Sequence, residues 1–307
     1  MDIFLQQIIN GLVQGSIYAL VALGYTMVYG IMGLINFAHG EVVMIGTLVT
    51  ITVAGSLIKA GMPVALAGLA GLMAAVLVCM ALGWALERVA YRPLRNAPRL
   101  TPLITAIGMS IVLQNLAMMI WGRNYLTFPA LLPKIDFEFA GANFTAIQII
   151  IVLVSAATMG GLLLLVYRTK LGMAMRATAQ NPAVASLMGV NINRVIAAAF
   201  VIGSALGAVA GVMVGAYYEI AHYQMGFMLG LKAFTAAVLG GIGNLAGAML
   251  GGILLGIIEA LGAGYIGDLT GGFLGSHYQD IFAFVVLIVV LMFKPSGLFG
   301  EKTGDRA

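Results

Sequence analysis

Four ionisable side chains stand in stretches that are otherwise almost wholly apolar: His39 and Glu41, on either side of Gly40, and later Lys232 and Glu259. Such groups are costly to place inside a membrane and generally face protein or water. They are expected either to line a polar route through the apolar layer or to bond backbone amides freed at a break in a helix. Two interruptions accompany them. The first reads Asn36-Phe37-Ala38-His39-Gly40-Glu41, and the second Gly240-Gly241-Ile242-Gly243-Asn244. Asn36, His39, Glu41 and Asn244 are therefore the candidates for a path or its gate. His39 and Glu41 supply too few ligands for a metal centre, and no metal is expected.

The chemistry of an enzyme is missing from the sequence. No Gly-x-x-x-x-Gly-Lys-Ser/Thr run is present to cradle a nucleotide phosphate, and no Gly is followed by Lys. Neither a Gly-x-Ser-x-Gly elbow nor a His-Glu-x-x-His helix appears. Asp268 has no second aspartate motif to pair with. The single cysteine, Cys79, excludes an intrachain disulfide.

What must position these residues is a membrane-embedded bundle. Hydrophobic residues make up 62% of the 307 and charged residues 8%, against about 25% charged in soluble domains. Runs long enough to span a bilayer cover roughly 8–30, 32–58, 62–86, 101–121, 145–167, 195–217, 228–262 and 277–294. The expected fold is all-α: one polytopic helix bundle over 1–307 with about 8 apolar spans, two of them broken or re-entrant. The Met1-Asp2-Ile3-Phe4 start carries no basic region, so the first run is expected to be retained as a span.

Basic residues set the orientation. Arg88, Arg92, Arg95 and Arg99 fall in one loop, 87–100; Arg168, Lys170, Arg176 and Arg194 bracket another, 168–194; Lys294, Lys302 and Arg306 follow the final run. The positive-inside tendency places all three in the cytoplasm. The net charge of +4 thus reads as a topological signal and implies no nucleic acid. Segments 122–144 and 263–276 suit the opposite side. Only an even number of crossings then fits between 195–217 and 277–294, which requires 228–262 to be two helical pieces around a broken centre. Asn36 to Gly40 and Asn244 to Gly247 share Asn, an apolar residue, Ala and Gly with one gap, a faint internal repeat of the kind that marks transport pathways.

Two further patterns concern packing and docking. Gly203, Gly207, Gly211 and Gly215 recur every fourth residue, as do Gly243, Gly247 and Gly251. That spacing opens a groove in which another helix backbone approaches closely, for static packing or for sliding. In the 168–194 loop, which has no acidic residue, Asn181 and Pro182 read as a helix start, Ala183 to Leu187 as its body and Gly189 as its stop. A short helix there is either a connector or a docking element.

These residues also carry a resemblance. Tyr29 to Glu41, Glu87 to Arg95, Leu103 to Ser110, Ala179 to Arg194 and Lys232 to Gly252 resemble, in order and without large insertions, the permeases of bacterial branched-chain amino acid ABC importers. The resemblance implies an inner-membrane subunit that forms the path for branched-chain amino acids by alternating access. It implies a second homologous permease, two cytoplasmic ATPases that use ATP and Mg, and a periplasmic binding protein as partners, with no cofactor bound by this chain. The 168–194 loop corresponds to the family's coupling loop, so Arg176, Asn181, Pro182, Ala183, Leu187 and Gly189 become the expected contacts to an ATPase. Relatives carrying urea or short amides are similar. An ion-coupled transporter working alone, with His39, Glu41 and Glu259 as a relay, is the reading from a different class.

Overall fold

The computed structural model describes residues 2–95, 97–98, 100–131, 135–139, 141–269 and 279–300. Arg99, Lys134, Lys302 and Arg306, and residues 270–276 of the segment 263–276, lie outside them. The chain is helical almost throughout: α1 Asp2–Met32, α2 His39–Lys59, α3 Val64–Leu86, α4 Leu100–Trp121, α5 Ala146–Arg168, α6 Lys170–Gln180, α7 Pro182–Leu187, α8 Ile192–Tyr218, α9 Met225–Gly240, α10 Leu245–Leu269 and α11 Gln279–Phe293. Seven of the described helices are long and apolar enough to cross a membrane, and α9 and α11 are shorter apolar helices. This is a polytopic helical membrane protein.

Contacts fix the directions of the helices. The start of α1 meets residue 143 through Gln6, whose amide donates to the Asn143 carbonyl at 2.9 Å. The far end of α1 lies by the turn before α10, where a Cβ on Gly30 would sit 3.6 Å from the Gly243 carbonyl. Successive spans then alternate between a ribbon end, carrying two short strand pairs, and a basic end, carrying 87–95 and 168–194. At the ribbon end, β1 (Leu126–Thr127) pairs antiparallel with β4 (Ile220–Ala221), and β2 (Asp136–Phe139) with β3 (Ala142–Thr145). A capping box between Thr145 and Gln148 then starts α5.

Burial sorts the helices into layers. The most apolar windows are 78% buried in α1, 61% in α8, and only 22–28% in α3, α4 and α5. α1 and α8 are therefore inner helices, and α3, α4 and α5 turn Leu69, Leu77, Ile104, Met119 and Leu153 outward. In lipid an apolar exterior carries no penalty, because the hydrocarbon tails are as apolar as the side chains that meet them.

The most extensive helix contact among the described residues joins α1 to α10, outside both glycine ladders. A Cβ on Gly15 would lie 2.7 Å from the Ile253 Cα, and one on Gly11 would lie 2.6 Å from the Ile257 Cα. Gly252 and Gly256 return the contact against Ala19 and Gly15. Both helices present a small-xxx-small pair, which lets backbones meet where lipid offers no hydrophobic drive.

The run 228–262 is two helices, as the parity of the basic loops requires. α9 and α10 form an antiparallel hairpin around a tight turn in which Gly241 and Gly243 take φ of +104° and +99°. Positive φ explains glycine at both positions. The turn is held by the segment after α11: Leu298 N donates to Leu239 O at 2.9 Å and Phe299 N to Gly240 O at 3.0 Å. The first interruption differs from expectation. It does not break a span but separates α1 from α2, so Glu41 belongs to the first turn of α2.

Candidate functional site

The start of α2 meets the start of α9. A Cβ on Gly40 would lie 2.8 Å from the Gly230 Cα, and one on Gly226 would lie 2.6 Å from the Gly40 carbonyl. Only glycine permits this approach. Glu41 is completely buried here. Its Oε1 accepts from Ser110 Oγ at 2.9 Å and Gln114 Nε2 at 2.7 Å, both near the middle of α4. Its Oε2 has no partner among the described residues and faces Gly226. The first-turn amides of α2 point their positive ends toward this acidic residue, which favours it there.

His39, two residues earlier at the first position of the same helix, is buried against Gly24 and Gly207, with Tyr25 edge-on at 5.0 Å. One ring nitrogen bonds the backbone of Val21, and Nε2 has no partner among the described residues. Asn36 accepts from the Tyr91 hydroxyl at 2.8 Å, which ties the 33–38 segment to the end of the third span. The structure therefore brings Asn36, His39 and Glu41 into one region where α1, α2, α4, α8 and α9 converge.

Asn244 is elsewhere. Its Oδ1 accepts from Gly247 N at 3.1 Å, capping α10, and its Nδ2 donates to Phe299 O at 2.9 Å. It lies at the basic end, far along the α9–α10 hairpin from Gly226. The start of α2 is met by the start of α9, which follows the segment 219–224, and not by the Gly240–Asn244 turn. The repeat drawn from the shared Asn, Ala and Gly does not describe the packing.

A second polar cluster joins α1, α9 and α10. Lys232 Nζ lies 3.3 Å from Glu259 Oε2 and 3.3 Å from the Tyr18 hydroxyl. Tyr18 donates to the same carboxylate oxygen at 2.7 Å, and Gln14 Nε2 donates to it at 3.0 Å. Tyr18 and Lys232 line one end of a cavity of about 230 Å³. Val214, Met225, Met228 and Leu229 form its apolar wall, and Tyr125, Tyr218 and His222 border it at the ribbon end, where Tyr125 and His222 stack at 4.6 Å. Lys232 and Glu259 stand out in the sequence; Gln14 and Tyr18, more than two hundred residues away, carry no mark there.

At the basic end, α7 is the short helix expected between Asn181 and Gly189. Asn181 Oδ1 accepts from Val184 N at 3.1 Å, Pro182 opens the first turn, and Gly189, at φ +85°, follows the end of the helix. Ala185 faces inward, whereas Ala183, Val184, Leu187 and Met188 face out, the last two 86% and 81% exposed. Arg176 turns back instead: it donates to Val166 O at 2.5 Å and lies over the Tyr167 ring at 5.3 Å, clamping α6 to the end of α5.

A neighbouring network braces this region. The end of α3 widens into one π-helical turn, Glu87–Tyr91, followed by a 3-10 turn, Arg92–Leu94. Glu87 is fully buried and paired with Arg92 at 3.0 Å and with Arg95. Arg95 also donates to Asn193 Oδ1 at 2.5 Å, at the start of α8 and a few residues beyond α7. Burial draws the Arg95 guanidinium below its usual range; Glu87 pulls it back up, and Arg92 pushes it further down.

The α8 ladder faces α1 and α2. Gly203 lies against Gly24, Gly207 against His39 and Val43, Gly211 against Val43 and Thr47, and Gly215 against Phe128. Thr47 Oγ1 donates to Gly211 O at 2.7 Å across this contact. Gly247 and Gly251 pack on Gly240 and Ala236 within the α9–α10 hairpin. Gly243 does not pack: nothing lies within 4 Å of a Cβ there, and its role is the positive φ of the turn.

Residues 7–291 match the family model described as branched-chain amino acid transport system / permease component. The chain is 48% identical over 309 residues to the high-affinity branched-chain amino acid transport system permease protein BraD of Pseudomonas aeruginosa, covering 99% of this chain and 98% of that one. It is 46% identical over 308 residues to the corresponding permease LivH of Escherichia coli K12, covering 99% and 97%. Among solved structures, PsaBC of Streptococcus pneumoniae in complex with Fab is similar at a TM-score of 0.48 and 15% identity, covering 95% of this chain and 92% of that one. With a matched region spanning α1 to α11 and two relatives near half identical from end to end, the chain belongs to the permease component family of branched-chain amino acid transport systems.

Proposed function

We propose that this chain is a permease subunit of an ATP-driven importer and provides part of the path for leucine, isoleucine and valine. The observation that carries the reading is the near full-length identity to permeases named for that transport. In this reading a second homologous permease completes the path in a bacterial inner membrane. A periplasmic protein delivers the solute at the ribbon end. Two ATPases bind ATP and Mg in the cytoplasm and grip the basic end, which agrees with the lack of a P-loop here.

The coupling element is α7 with its flanks. Leu187 and Met188 project from a helix too short to span anything, and large exposed apolar side chains at a helix end suit a groove on another protein. Asn181, Pro182 and Gly189 set the helix ends, Ala183 lies on its outer face, and Arg176 fixes the preceding helix. ATP binding shifts the permeases only by favouring one of their arrangements over the other. The Arg95–Asn193 contact carries movement of the α7 region to the end of α3.

The test is ATP-dependent uptake of labelled leucine into proteoliposomes holding this chain, its partner permease, the ATPases and the binding protein. Uptake that needs every component is expected. ATP hydrolysis without leucine uptake would overturn the substrate and direct attention to urea and short amides. Uptake by this chain alone, driven by an ion gradient, would overturn the importer reading. Leu187→Asp is expected to leave ATPases hydrolysing but cut uptake at least about tenfold, the equivalent of about 1.4 kcal/mol of docking energy.

A further inference from the structure

The cavity between α1, α8 and α9 has features that the general role of a permease does not require. One end is polar and asymmetric. Lys232 lines it with 11% of its side chain exposed, while its ion-pair partner Glu259 is completely covered and sits behind it. The cavity therefore meets the cationic member of the pair, with the Tyr18 hydroxyl beside it. Between that end and the Tyr125, Tyr218 and His222 border the wall is apolar, and two of its side chains are methionines. Methionine is unbranched and adaptable, so such a wall accepts side chains of differing branching at small cost. At about 230 Å³ the space is below the roughly 300 Å³ at which drug-sized sites begin. It suits a small solute with one anionic end and a compact apolar body.

We propose that this cavity is a transit site for the amino acid, with the carboxylate at Lys232 and Tyr18 and the branched side chain against Met225, Met228 and Leu229. The inference rests on the importer reading above. Glu259 acts as a positioning residue: it holds Lys232 in place through an oxygen that also accepts from Tyr18 and Gln14. The stacked Tyr125 and His222 border the site toward the strand pair β1–β4, on the side from which solute would be delivered. A methionine wall over a single cation explains how one path serves several side chains: the charge fixes the common end and the wall adapts to the variable one.

The experiment compares uptake of labelled valine and isoleucine by the complete importer carrying wild-type chain, Met228→Trp, Lys232→Gln or Lys232→Arg. Met228 is half exposed, so the larger side chain is accommodated without repacking the core. Filling the wall should penalise the larger solute more, raising the valine-to-isoleucine uptake ratio about tenfold, the scale set by one methylene in an apolar pocket. Lys232→Gln should lower uptake of both at least about tenfold, and Lys232→Arg should recover much of it. An unchanged valine-to-isoleucine ratio in Met228→Trp overturns the transit site, as does undiminished uptake of both solutes by an assembled Lys232→Gln importer. If Lys232→Gln fails to assemble, the Met228→Trp ratio still decides. A wild-type importer that takes up neither solute removes the importer reading itself, which is a different outcome.

Discussion

Glu41 and Glu259 are both wholly enclosed, yet Glu259 meets a lysine and Glu41 meets only a hydroxyl, a carboxamide and the first turns of two helices. The surroundings differ in the same way. Glu259 backs a cavity, whereas Glu41 is packed where α2 and α9 meet through glycine. A full counter-charge is placed where a solute is to be recognised. Neutral donors and helix ends suffice where the task is to join two helices. The comparison teaches that a carboxylate inside a membrane bundle has to be read through its partners, since the residue type alone does not separate the two tasks.

The comparison breaks most visibly at Glu259. Glu259→Gln leaves Lys232 buried without its counter-charge and should destabilise the folded subunit by about 3–5 kcal/mol, read as loss of intact protein in detergent thermal denaturation. Replacing both members, Lys232→Met with Glu259→Leu, should restore most of that stability while uptake stays lost. Equal stability of Glu259→Gln and wild type would show that the pair is not what holds Lys232. Next in size is Gly40→Leu, which drives a side chain into the α9 backbone and should destabilise by about 3 kcal/mol; normal assembly and uptake would separate Glu41 from the α2–α9 contact. Glu41→Gln keeps an acceptor for Ser110 and Gln114 and should change stability by about 1 kcal/mol or less, the scale of one hydrogen bond. A loss as large as that of Glu259→Gln would erase the distinction. Arg95→Ala leaves the buried Glu87 with Arg92 as its remaining counter-charge among the described residues, and its readout is coupling: ATP consumed per solute moved, measured in the same vesicles, should rise because Asn193 loses its tie to Glu87.

Local chemistry was legible in the sequence and long-range contact was not. Asn181, Pro182 and Gly189 announce α7 because capping oxygen, fixed φ and positive φ are properties of single residues. The division of 228–262 followed from charge parity, which needs no contacts. The partners of Glu41 did not, since Ser110 and Gln114 are ordinary residues about seventy positions away. The α1–α10 contact left a usable trace in Gly11-x-x-x-Gly15 and Gly252-x-x-x-Gly256, but Gly243-Gly247-Gly251 offered a longer ladder in an adjoining frame. Spacing could not reveal that Gly243 serves a turn. The same ambiguity hid that the Asn244 side chain caps α10.

The staple between 239–240 and 298–299 sets a condition in time. The last carbonyls of α9 are answered by amides made about sixty residues later, roughly 3 to 12 seconds at typical synthesis rates of about 5–20 residues per second. For that interval α9 emerges from synthesis with an unfinished end, while α10 and α11 are still being made. The hairpin that carries Lys232 and Glu259 thus acquires its final geometry late, and a nascent chain paused before residue 294 would hold both charged residues in a bundle not yet closed around them.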